Sequence, residues 1–355
     1  MIRAFNRPVS GSWSVTATVA EPPELLCAFA AHYLDLGAEE VHLFLDNPDQ
    51  PGVDMLEAMD GVRVTLCTPR HWQKLNRGRP DRHIMRQLKN ANAAYAQCRS
   101  EWFLFCDADE FVVSKPPIQD LLAALPATVV HTRVPVVERV FRSETAPAHL
   151  FDGVFRTQLR GQAEVLEDVY GDMANLTTRG LTGHVVGKSF VRAGRKDQRI
   201  RIHFPVPFDP SEEARQRDAG TLKPGPDFEG AWLVHFDGMT PLHWLLKLMR
   251  KSTGRMQFKK RTPARSRQLN AIYDALGDGA ALARFEQLIS LDPAQRARLD
   301  AAGGILDIAL DPRLAVERHL GQRLPFDAAS FDAGLRTQHA ALIAEHGLLL
   351  GSPDP

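Results

Sequence analysis

Short β-branched runs alternate with helical periodicities over the first hundred residues of the chain. Residues 14–20, Ser-Val-Thr-Ala-Thr-Val-Ala, predict a first strand because β-branched residues favour strands. Apolar residues then recur at helical spacing up to Gly37, and strands follow at 41–45 and 62–66 with a short helix, 53–59, between them. This strand–helix–strand–helix–strand order predicts a parallel α/β sheet with right-handed crossovers.

A further apolar run, 102–106, ends directly in three acidic residues, Asp107, Asp109 and Glu110. Burying three unpaired carboxylates is very costly, so we expect them at a strand end with a cation or basic partners. Two Asp side chains spaced in this way can both reach a hard divalent cation that keeps open positions for phosphate oxygens. The same spacing also fits a plain acidic turn between two strands.

The remaining pattern predicts both helices and strands, and a largely helical C-terminal part from residue 268 onward. The predicted elements are helices at 79–97, 118–125 and 242–250, strands at 129–137 and 232–236, two short strands within 183–204 around a turn at 193–198, an irregular segment at 151–180 and a long loop at 205–230.

Composition indicates an ordinary globular chain. Of 355 residues, 44% are hydrophobic and 24% are charged, and the net charge of zero gives no overall attraction to nucleic acid. No apolar run approaches the roughly 20 residues needed to span a bilayer, and the N-terminus lacks a signal-peptide core. The four cysteines have no metal-like spacing and are expected to be reduced thiols. We therefore expect a cytoplasmic protein.

Charged side chains are predicted to gather where strands end. Asp46 ends the second strand, and ligands of parallel α/β sheets bind beyond the carboxyl ends of strands. Arg82 and Arg86 are four residues apart on the helix before the acidic strand, so they would share a face and could meet a diphosphate. A solvated basic helix face is the competing interpretation.

A basic stretch follows the last predicted strand. No acid occurs between Asp237 and Asp274, whereas nine Lys and Arg residues fall within 247–267. Such a run is usually a solvated face, but it also suits phosphates or anionic lipid head groups. The stretch therefore predicts a possible peripheral membrane contact, which would lie at the inner face of the membrane.

Several blocks resemble bacterial GT-A glycosyltransferases of the family 2 and family 92 kind. The blocks at 18–21 and 41–47 look like the opening of these enzymes, and Trp-Phe-Leu-Phe-Cys-Asp-Ala-Asp-Glu-Phe at 102–111 is similar to their strand and DxDE motif. The resemblance covers roughly residues 14–262, and the ordered series of blocks is more specific than DxD alone. Of the Lys-Asn-Glu often found after the first strand, only Glu21 is retained. The later similar blocks are 187–192, 202–205 and 235–237.

The resemblance implies a fold and a reaction. The fold would be of the GT-A type, a Rossmann-like mixed and mainly parallel sheet flanked by helices, in residues 1–262, with a helical C-terminal extension in 263–355. The reaction would transfer a sugar from a UDP- or GDP-sugar to a hydroxyl of a glycan or glycolipid acceptor. An inverting mechanism and a place in polysaccharide or glycoconjugate synthesis are expected. Nucleic acid is not an expected partner.

The resemblance also implies residue roles. Asp107 and Asp109 would hold Mn²⁺ or Mg²⁺ against the donor diphosphate, with His235 as a third ligand and His203 as the reserve. Asp168 or its neighbour Glu167 would be the general base, preferred over Asp237, which lies close in sequence to His235. The residues expected at the nucleotide-sugar donor are Glu21, Asp46, Arg82, Arg86, Asp107 and Lys188.

Two other function classes fit paired aspartates after an apolar strand. A metal-dependent phosphoryl hydrolase would usually need further metal-binding acids or histidines nearby, and the order typical of a HAD-type site is not seen. A non-catalytic nucleotide- or carbohydrate-binding protein is the other alternative. Retention of Asp107, Asp109 and Glu110 together argues against that alternative.

Overall fold

The computed structural model describes residues 8–252, 263–274 and 286–345, and the chain divides into two compact units. Each unit is assembled from segments that are distant in sequence. The predicted domain boundary between 262 and 263 borders residues 253–262, which lie outside the described residues, so this boundary stays a prediction. Unit 1 comprises 8–135, 186–233 and 312–323, and unit 2 comprises 136–185, 234–252, 263–274, 286–311 and 324–345.

The secondary structure is mixed throughout the described residues. The strands are β1 (Trp13–Val19), β2 (Glu40–Leu45), β3 (Val62–Leu66), β4 (Trp102–Phe105), β5 (Glu110–Ser114), β6 (His131–Val134), β7 (Val136–Arg142), β8 (Val154–Arg156), β9 (Lys188–Arg192), β10 (Gln198–Arg199), β11 (Val206–Pro207), β12 (Ala231–His235), β13 (Ser290–Leu291) and β14 (Ile305–Leu306).

Helices separate most of these strands, and none within the described residues is long and apolar enough to cross a membrane. They are α1 (Pro23–Asp35), α2 (Val53–Glu57), α3 (Pro69–Asn76), α4 (His83–Gln97), α5 (Ile118–Ala123), α6 (Ala163–Tyr170), α7 (Pro210–Asp218), α8 (Pro241–Ser252), α9 (Pro263–Asp274), α10 (Pro293–Ala301), α11 (Arg313–Leu320), α12 (Ala328–Gln338) and α13 (Ala340–Glu345), with a 3₁₀ turn at Gly171–Leu176.

Unit 1 is built on a six-stranded sheet with the spatial order β3-β2-β1-β4-β9-β6. The first four strands are parallel, while β9 runs antiparallel to both β4 and β6. The predicted fold class is therefore confirmed: the sheet is mixed, mainly parallel, Rossmann-like and flanked by helices. The carboxyl ends of β1, β2 and β4 meet at one edge of this sheet, because parallel neighbours end together.

One face of this sheet is covered by α3 and α4. Successive side chains of a strand point to opposite faces, so Phe103 and Phe105 of β4 lie on the same face. They pack in a buried cluster with Phe44 of β2, Trp72 of α3 and Tyr95 of α4. This continuous apolar layer explains why β4 reads as an unbroken hydrophobic run in the sequence.

Unit 2 contains strands of a second sheet and most of the C-terminal helices. Within it, β8 pairs antiparallel with β7 and with β14, and β13 pairs parallel with β7. The predicted helical character of the C-terminal part is therefore correct for α9 to α13, but this part also adds two short strands. Its buried cluster includes Val140, Leu159, Tyr170, Leu291 and Leu299.

Several predicted elements were wrong. The segment expected to be irregular, 151–180, contains β8, α6 and the 3₁₀ turn, and the loop expected at 205–230 contains α7. α7 is mostly charged, so it shows no apolar periodicity. Its start is instead marked by Asp209, whose carboxylate accepts a hydrogen bond from Ser211 N, and by Pro210. Residues 183–187 and 200–204 are not strands, and the helix predicted from 79 begins at His83.

Gly187, just before β9, gives a test of this packing. It has a φ of 81°, and a Cβ placed there would lie 2.1 Å from Val134 O. Gly194 has a φ of 76° but no atom within 4 Å of such a Cβ. Both Gly→Ala variants incur the left-handed backbone cost of roughly 1–2 kcal/mol. Gly187→Ala should lose at least about 1 kcal/mol more through overpacking, measured as the urea unfolding midpoint. Equal unfolding midpoints for the two variants would contradict the close approach of Gly187 to the Val134 carbonyl.

Candidate functional site

An acidic cluster stands at the carboxyl end of β4 in unit 1. Asp107 follows the strand, Asp109 is mostly buried, and Glu110, the first residue of β5, is fully buried. The Asp107 backbone N–H donates to Glu110 Oε2 over 2.8 Å. The cluster therefore folds back on itself in a tight turn that brings all three acids to the edge where ligands of such sheets bind.

Lys188 is a buried cationic partner of two of these acids. Its ammonium is fully buried and lies 2.8 Å from Asp107 Oδ2 and 3.2 Å from Glu110 Oε2. It reaches them because β9 runs antiparallel to β4, with Phe190 opposite Leu104, so the start of β9 lies beside the end of β4. The expectation of basic partners for the acids is met by this residue.

The charges of the cluster stabilise one another. Burial would lower the pKa of Lys188, but the carboxylates of Asp107 and Glu110 outweigh that effect and raise the pKa above its ordinary value. Lys188 is therefore charged at neutral pH. Burial, with Glu110 adding to it, raises the pKa of the neighbouring Cys106 thiol well above its usual value, so Cys106 is a neutral core thiol.

The carboxylate oxygens of the cluster are ligands of the kind that a hard divalent cation prefers. Gln87 Nε2 donates to Asp107 Oδ1 over 2.6 Å, and Lys188 occupies a position at Oδ2. An ionised carboxylate has about four lone-pair sites, and carboxylate oxygens such as those of Asp107 and Asp109 are the ligands that hard divalent cations prefer. Among the described residues, no three His, Cys, Asp or Glu side chains form a metal-binding group. Mg²⁺ is often held by one or two carboxylates plus substrate phosphates.

Asp46, at the end of β2, is mostly buried and is bound by an arginine. Arg86 Nε lies 2.8 Å from Asp46 Oδ1 and Arg86 Nη2 lies 2.8 Å from Oδ2, a bidentate pair. Arg86 Nη1 also donates to the carbonyls of Pro80 and Asp81. Arg86 thus ties the loop before α4 to the end of β2. The predicted contacts of Asp46 and Arg86 with the donor stay predictions.

The expectation that Arg82 and Arg86 share a helix face was wrong. Arg82 is the residue that precedes α4, has extended backbone and is exposed, whereas Arg86 is buried within the first turns of the helix. Arg79, which is also exposed, lies 3.1 Å from Asp46 Oδ2 and is the second arginine at that carboxylate. The sequence analysis placed Arg79 at the start of the helix predicted over 79–97 and gave it no role, whereas the structure places it in the loop before α4.

The other predicted residues of unit 1 flank this edge. Glu21 follows β1 and is partly exposed. His203 Nδ1 lies 2.9 Å from Gly187 O, next to Lys188 at the start of β9. At the opposite end of β9, Arg192 pairs with Glu101 and stacks over Trp102. The roles of Glu21 and His203 stay predictions.

Two residues of α1 fix the strand that carries Glu110. His32 Nε2 lies 2.7 Å from Val112 O, and the Tyr33 hydroxyl donates to Glu110 O over 3.0 Å. Tyr33 is buried and His32 is partly buried, and desolvation lowers the pKa of His32 to about 4. A neutral imidazole can donate from Nε2, so His32 holds β5 in place as an uncharged group.

His235 belongs to unit 2, where it ends β12 as expected. Its Nδ1 lies 3.8 Å from Glu138 Oε2, and its ring centroid lies 5.1 Å from that of His184. Gly183 permits this approach, since a Cβ there would lie 2.5 Å from His235 Cε1. A carboxylate beside a histidine is the usual arrangement that orients a metal-ligating imidazole. Its role as a ligand stays a prediction.

Glu138 is the main polar residue that the sequence reasoning missed. It is fully buried, accepts from Arg156 Nη2 over 2.5 Å, and also accepts from the backbone N–H groups of Thr182 and Gly183. Burial alone would raise its pKa, but Arg156 outweighs that effect and lowers the pKa to about 2. An acid inside the apolar run Val-Val-Glu-Arg-Val at 136–140 was the available signal.

The predicted bases occupy different environments within unit 2. Glu167 and Asp168 are exposed on α6, and Asp168 Oδ2 lies 3.3 Å from Arg298 Nε. Asp237 is buried and pairs with Arg265 at 2.8 Å and with Lys247 at 3.8 Å. Burial would raise the pKa of Asp237, but these cations hold it well below the usual value, which makes this carboxylate a poor base.

The basic stretch at 247–267 is only partly described. Lys247 and Arg265 bind the Asp237 carboxylate, and Arg267 Nε donates to the Asn175 carbonyl. These three basic residues therefore support the structure of unit 2. The stretch also covers residues 253–262, which lie outside the described residues, so its predicted membrane contact stays a prediction.

Comparisons with known proteins give little further information. No protein-family profile matches the chain, and no curated protein matches it by sequence. Among solved structures, the crystal structure of S. aureus TarS 1-349 is similar to 88% of this chain and 92% of that one, with 11% identity and a TM-score of 0.30. A TM-score this low establishes neither a shared family nor a shared activity.

The lowered pKa of His32 predicts that the free energy of unfolding depends on pH. Its pKa is about 4 in the fold and about 6.5 in an unfolded chain. Its contribution to stability is therefore complete above about pH 6.5 and is lost as pH falls toward 4, because the unfolded chain then binds a proton that the fold excludes.

Urea unfolding midpoints of the unaltered protein and His32→Gln should therefore converge as pH falls from 7.5 to 4.5. His83→Gln, at an exposed histidine, is the matched control and should show no such convergence. A constant difference between His32→Gln and the unaltered protein at every pH would contradict the assignment.

Proposed function

We propose that the protein is a metal-dependent glycosyltransferase that moves a sugar from a nucleotide-sugar donor to a hydroxyl acceptor, with inversion. The observation that carries this proposal is the acidic cluster of Asp107, Asp109 and Glu110, balanced by the buried Lys188, at the carboxyl edge of a mixed Rossmann-like sheet. This edge is where such sheets bind nucleotides. The blocks that resemble family 2 and family 92 enzymes supply the reaction class.

In this proposal the cluster binds the leaving group of the donor. Asp107 and Asp109 hold Mn²⁺ or Mg²⁺, which when bound neutralises charge on the departing nucleoside diphosphate. Lys188 and Gln87 fix the orientation of Asp107, so the carboxylate is in position before the donor arrives. Asp46, Arg86 and Glu21 line the nucleotide side. Arg79 and Arg82 are exposed arginines suited to phosphate oxygens.

On the acceptor side, Asp168 is proposed to remove the proton from the attacking hydroxyl, with Glu167 as its alternate. Its exposure on α6 leaves it accessible to a substrate, unlike the buried Asp237. His235, which lies beside Glu138, is proposed as a further metal ligand. UDP- and GDP-sugars are the proposed donors, and a glycan or glycolipid is the proposed acceptor.

Asp109→Asn tests the donor half of the proposal. It should abolish the thermal stabilisation by UDP or GDP that depends on Mn²⁺, and lower hydrolysis of the matching nucleotide sugar at least ~100-fold, since it removes a charge that stabilises the leaving group. The fold should persist, shown by an unchanged melting temperature without ligand. Asp60→Asn, at an exposed position in the same unit, is the control.

The outcomes also separate the alternative functions. Full activity in Asp109→Asn would refute the metal assignment. Metal-dependent nucleotide binding without cleavage of any nucleotide sugar, even with acceptors present, would favour a binding protein. Release of phosphate from phosphate esters in place of sugar transfer would favour a phosphoryl hydrolase. Indifference to every nucleotide and metal pair would overturn the transferase.

Asp168→Asn tests the acceptor half. Loss of a general base should lower turnover by about 10²-fold or more while leaving the nucleotide-dependent shift in melting temperature intact. Glu164→Gln, at an exposed position one turn earlier on α6, should leave turnover unchanged. Wild-type turnover in Asp168→Asn would move the base role to Glu167, and loss of donor binding would give Asp168 a different role.

A further inference from the structure

A cavity of about 920 Å³ lies in unit 2 and contains none of the site residues predicted from the sequence. It is bounded by the end of β7, the loop at 143–150, the end of α6 and the starts of α8 and α10. Its size falls within the range of about 300–1,000 Å³ that is typical of small-molecule sites. All of its lining residues belong to unit 2.

The inner wall of the cavity carries flat apolar surfaces that are held in place. The Tyr170 hydroxyl accepts a hydrogen bond from Arg156 Nη1 over 2.7 Å, and the guanidinium of Arg139 stacks on the ring of Phe141 at 3.6 Å. Met173 adds an adaptable thioether surface. Two oriented rings beside a deformable apolar wall suit a ligand with flat apolar faces, such as the C–H face of a sugar ring.

The polar part of the lining is rich in hydrogen-bond acceptors. Glu286 and Asp292 contribute carboxylates, and Ser143 and Thr145 contribute hydroxyl groups. Ionised carboxylates only accept hydrogen bonds, so they match a ligand with several hydroxyl donors. His149 Nδ1 accepts from the Phe151 N–H over 3.2 Å, which requires a neutral ring with its proton on Nε2.

The charges of the lining disfavour an anion. Arg142, the arginine of the lining, pairs with Asp152 at 3.1 Å and also donates to the Gly153 carbonyl. The N-terminus of α10 is capped by Asp292, whose carboxylate accepts from Gln295 N over 2.7 Å. An anionic ligand would meet two carboxylates with the nearest arginine already paired, whereas a neutral polyol would not be repelled.

We propose that this cavity binds a neutral carbohydrate. Within the function proposed above, this carbohydrate is the acceptor glycan. Its identification as the acceptor rests on that proposed function, whereas the binding of a neutral carbohydrate does not. The acceptor is therefore expected to consist of uncharged sugar units with free hydroxyl groups.

The experiment measures binding of defined sugars to the full-length protein by saturation-transfer NMR. The neutral probes are the methyl glycosides of glucose, galactose, mannose and N-acetylglucosamine, with maltotriose and chitotriose. Methyl glucuronide and glycerol 3-phosphate are the anionic probes. At least one neutral probe should bind, and both anionic probes should bind more weakly than that probe.

Two variants place a bulky ring at the rim of the cavity: Ala146→Trp and Ala328→Trp, both at exposed lining positions. Each should weaken binding of the neutral probe at least tenfold without lowering the melting temperature. Using two separate positions guards against a variant that fails to fold. Ala148→Trp, on the same exposed loop but outside the lining, is the control and should bind like the unaltered protein.

The proposal is overturned if no neutral probe binds, if both rim variants bind as the control does, or if an anionic probe binds more tightly than every neutral one. Its failure is distinguishable from failure of the transferase, because stabilisation by UDP or GDP with Mn²⁺ reports on Asp109 in unit 1. Sugar binding without any nucleotide effect would leave the cavity proposal standing and remove the transferase.

Discussion

One buried ammonium group holds the acidic end of β4 together. Lys188 contacts Asp107 and Glu110, and all the lysine's charge is removed from water. Removing one partner of such a buried pair costs about 3–5 kcal/mol, because the remaining charge stays buried and unpaired. The turn between β4 and β5 therefore depends on β9, a strand supplied by chain more than seventy residues further along the sequence. The acidic cluster at this edge of unit 1 therefore forms only when the antiparallel strand β9 is in place.

Much of this unit could be predicted from local patterns. The strands β1, β2 and β4 are buried on both faces, so each is a short apolar or β-branched run in the sequence, and α1 shows clear helical spacing. The helix α7 could not be found in this way, because nearly all its side chains face water and only its Asp209 cap and Pro210 mark it. A short strand was expected in the region of β9, but its starting residue and its antiparallel direction depend on pairing with β4 and β6, which no local pattern records.

The candidate site was likewise predictable from the sequence only in part. Asp46 and Asp107 were placed correctly at strand ends, because a strand's direction follows from the order of elements. The partners of these acids could not be predicted, since Arg79, Gln87 and Lys188 reach them through loop geometry and strand register. Glu138 is the opposite case. Its charge inside an apolar run was visible in the sequence, but the hydrogen-bond donors that it meets come from Arg156 of β8 and from Thr182 and Gly183. Sequence gives the residue types at an edge, and tertiary pairing decides which of them meet.

The helix α11 has a consequence for how the protein is made. It packs on α1, with Arg318 and His319 both reaching Asp35, although it lies almost three hundred residues further along the chain. During synthesis on the ribosome, the sheet of unit 1 can form once β9 has emerged, but α1 stays without this neighbour until residue 320 has been made. The exposed face of α1 must therefore remain soluble while the chain of unit 2 is being produced, and closing so long a loop is slow. Synthesis of unit 1 therefore starts before that of unit 2 but ends only after most of unit 2 has been made.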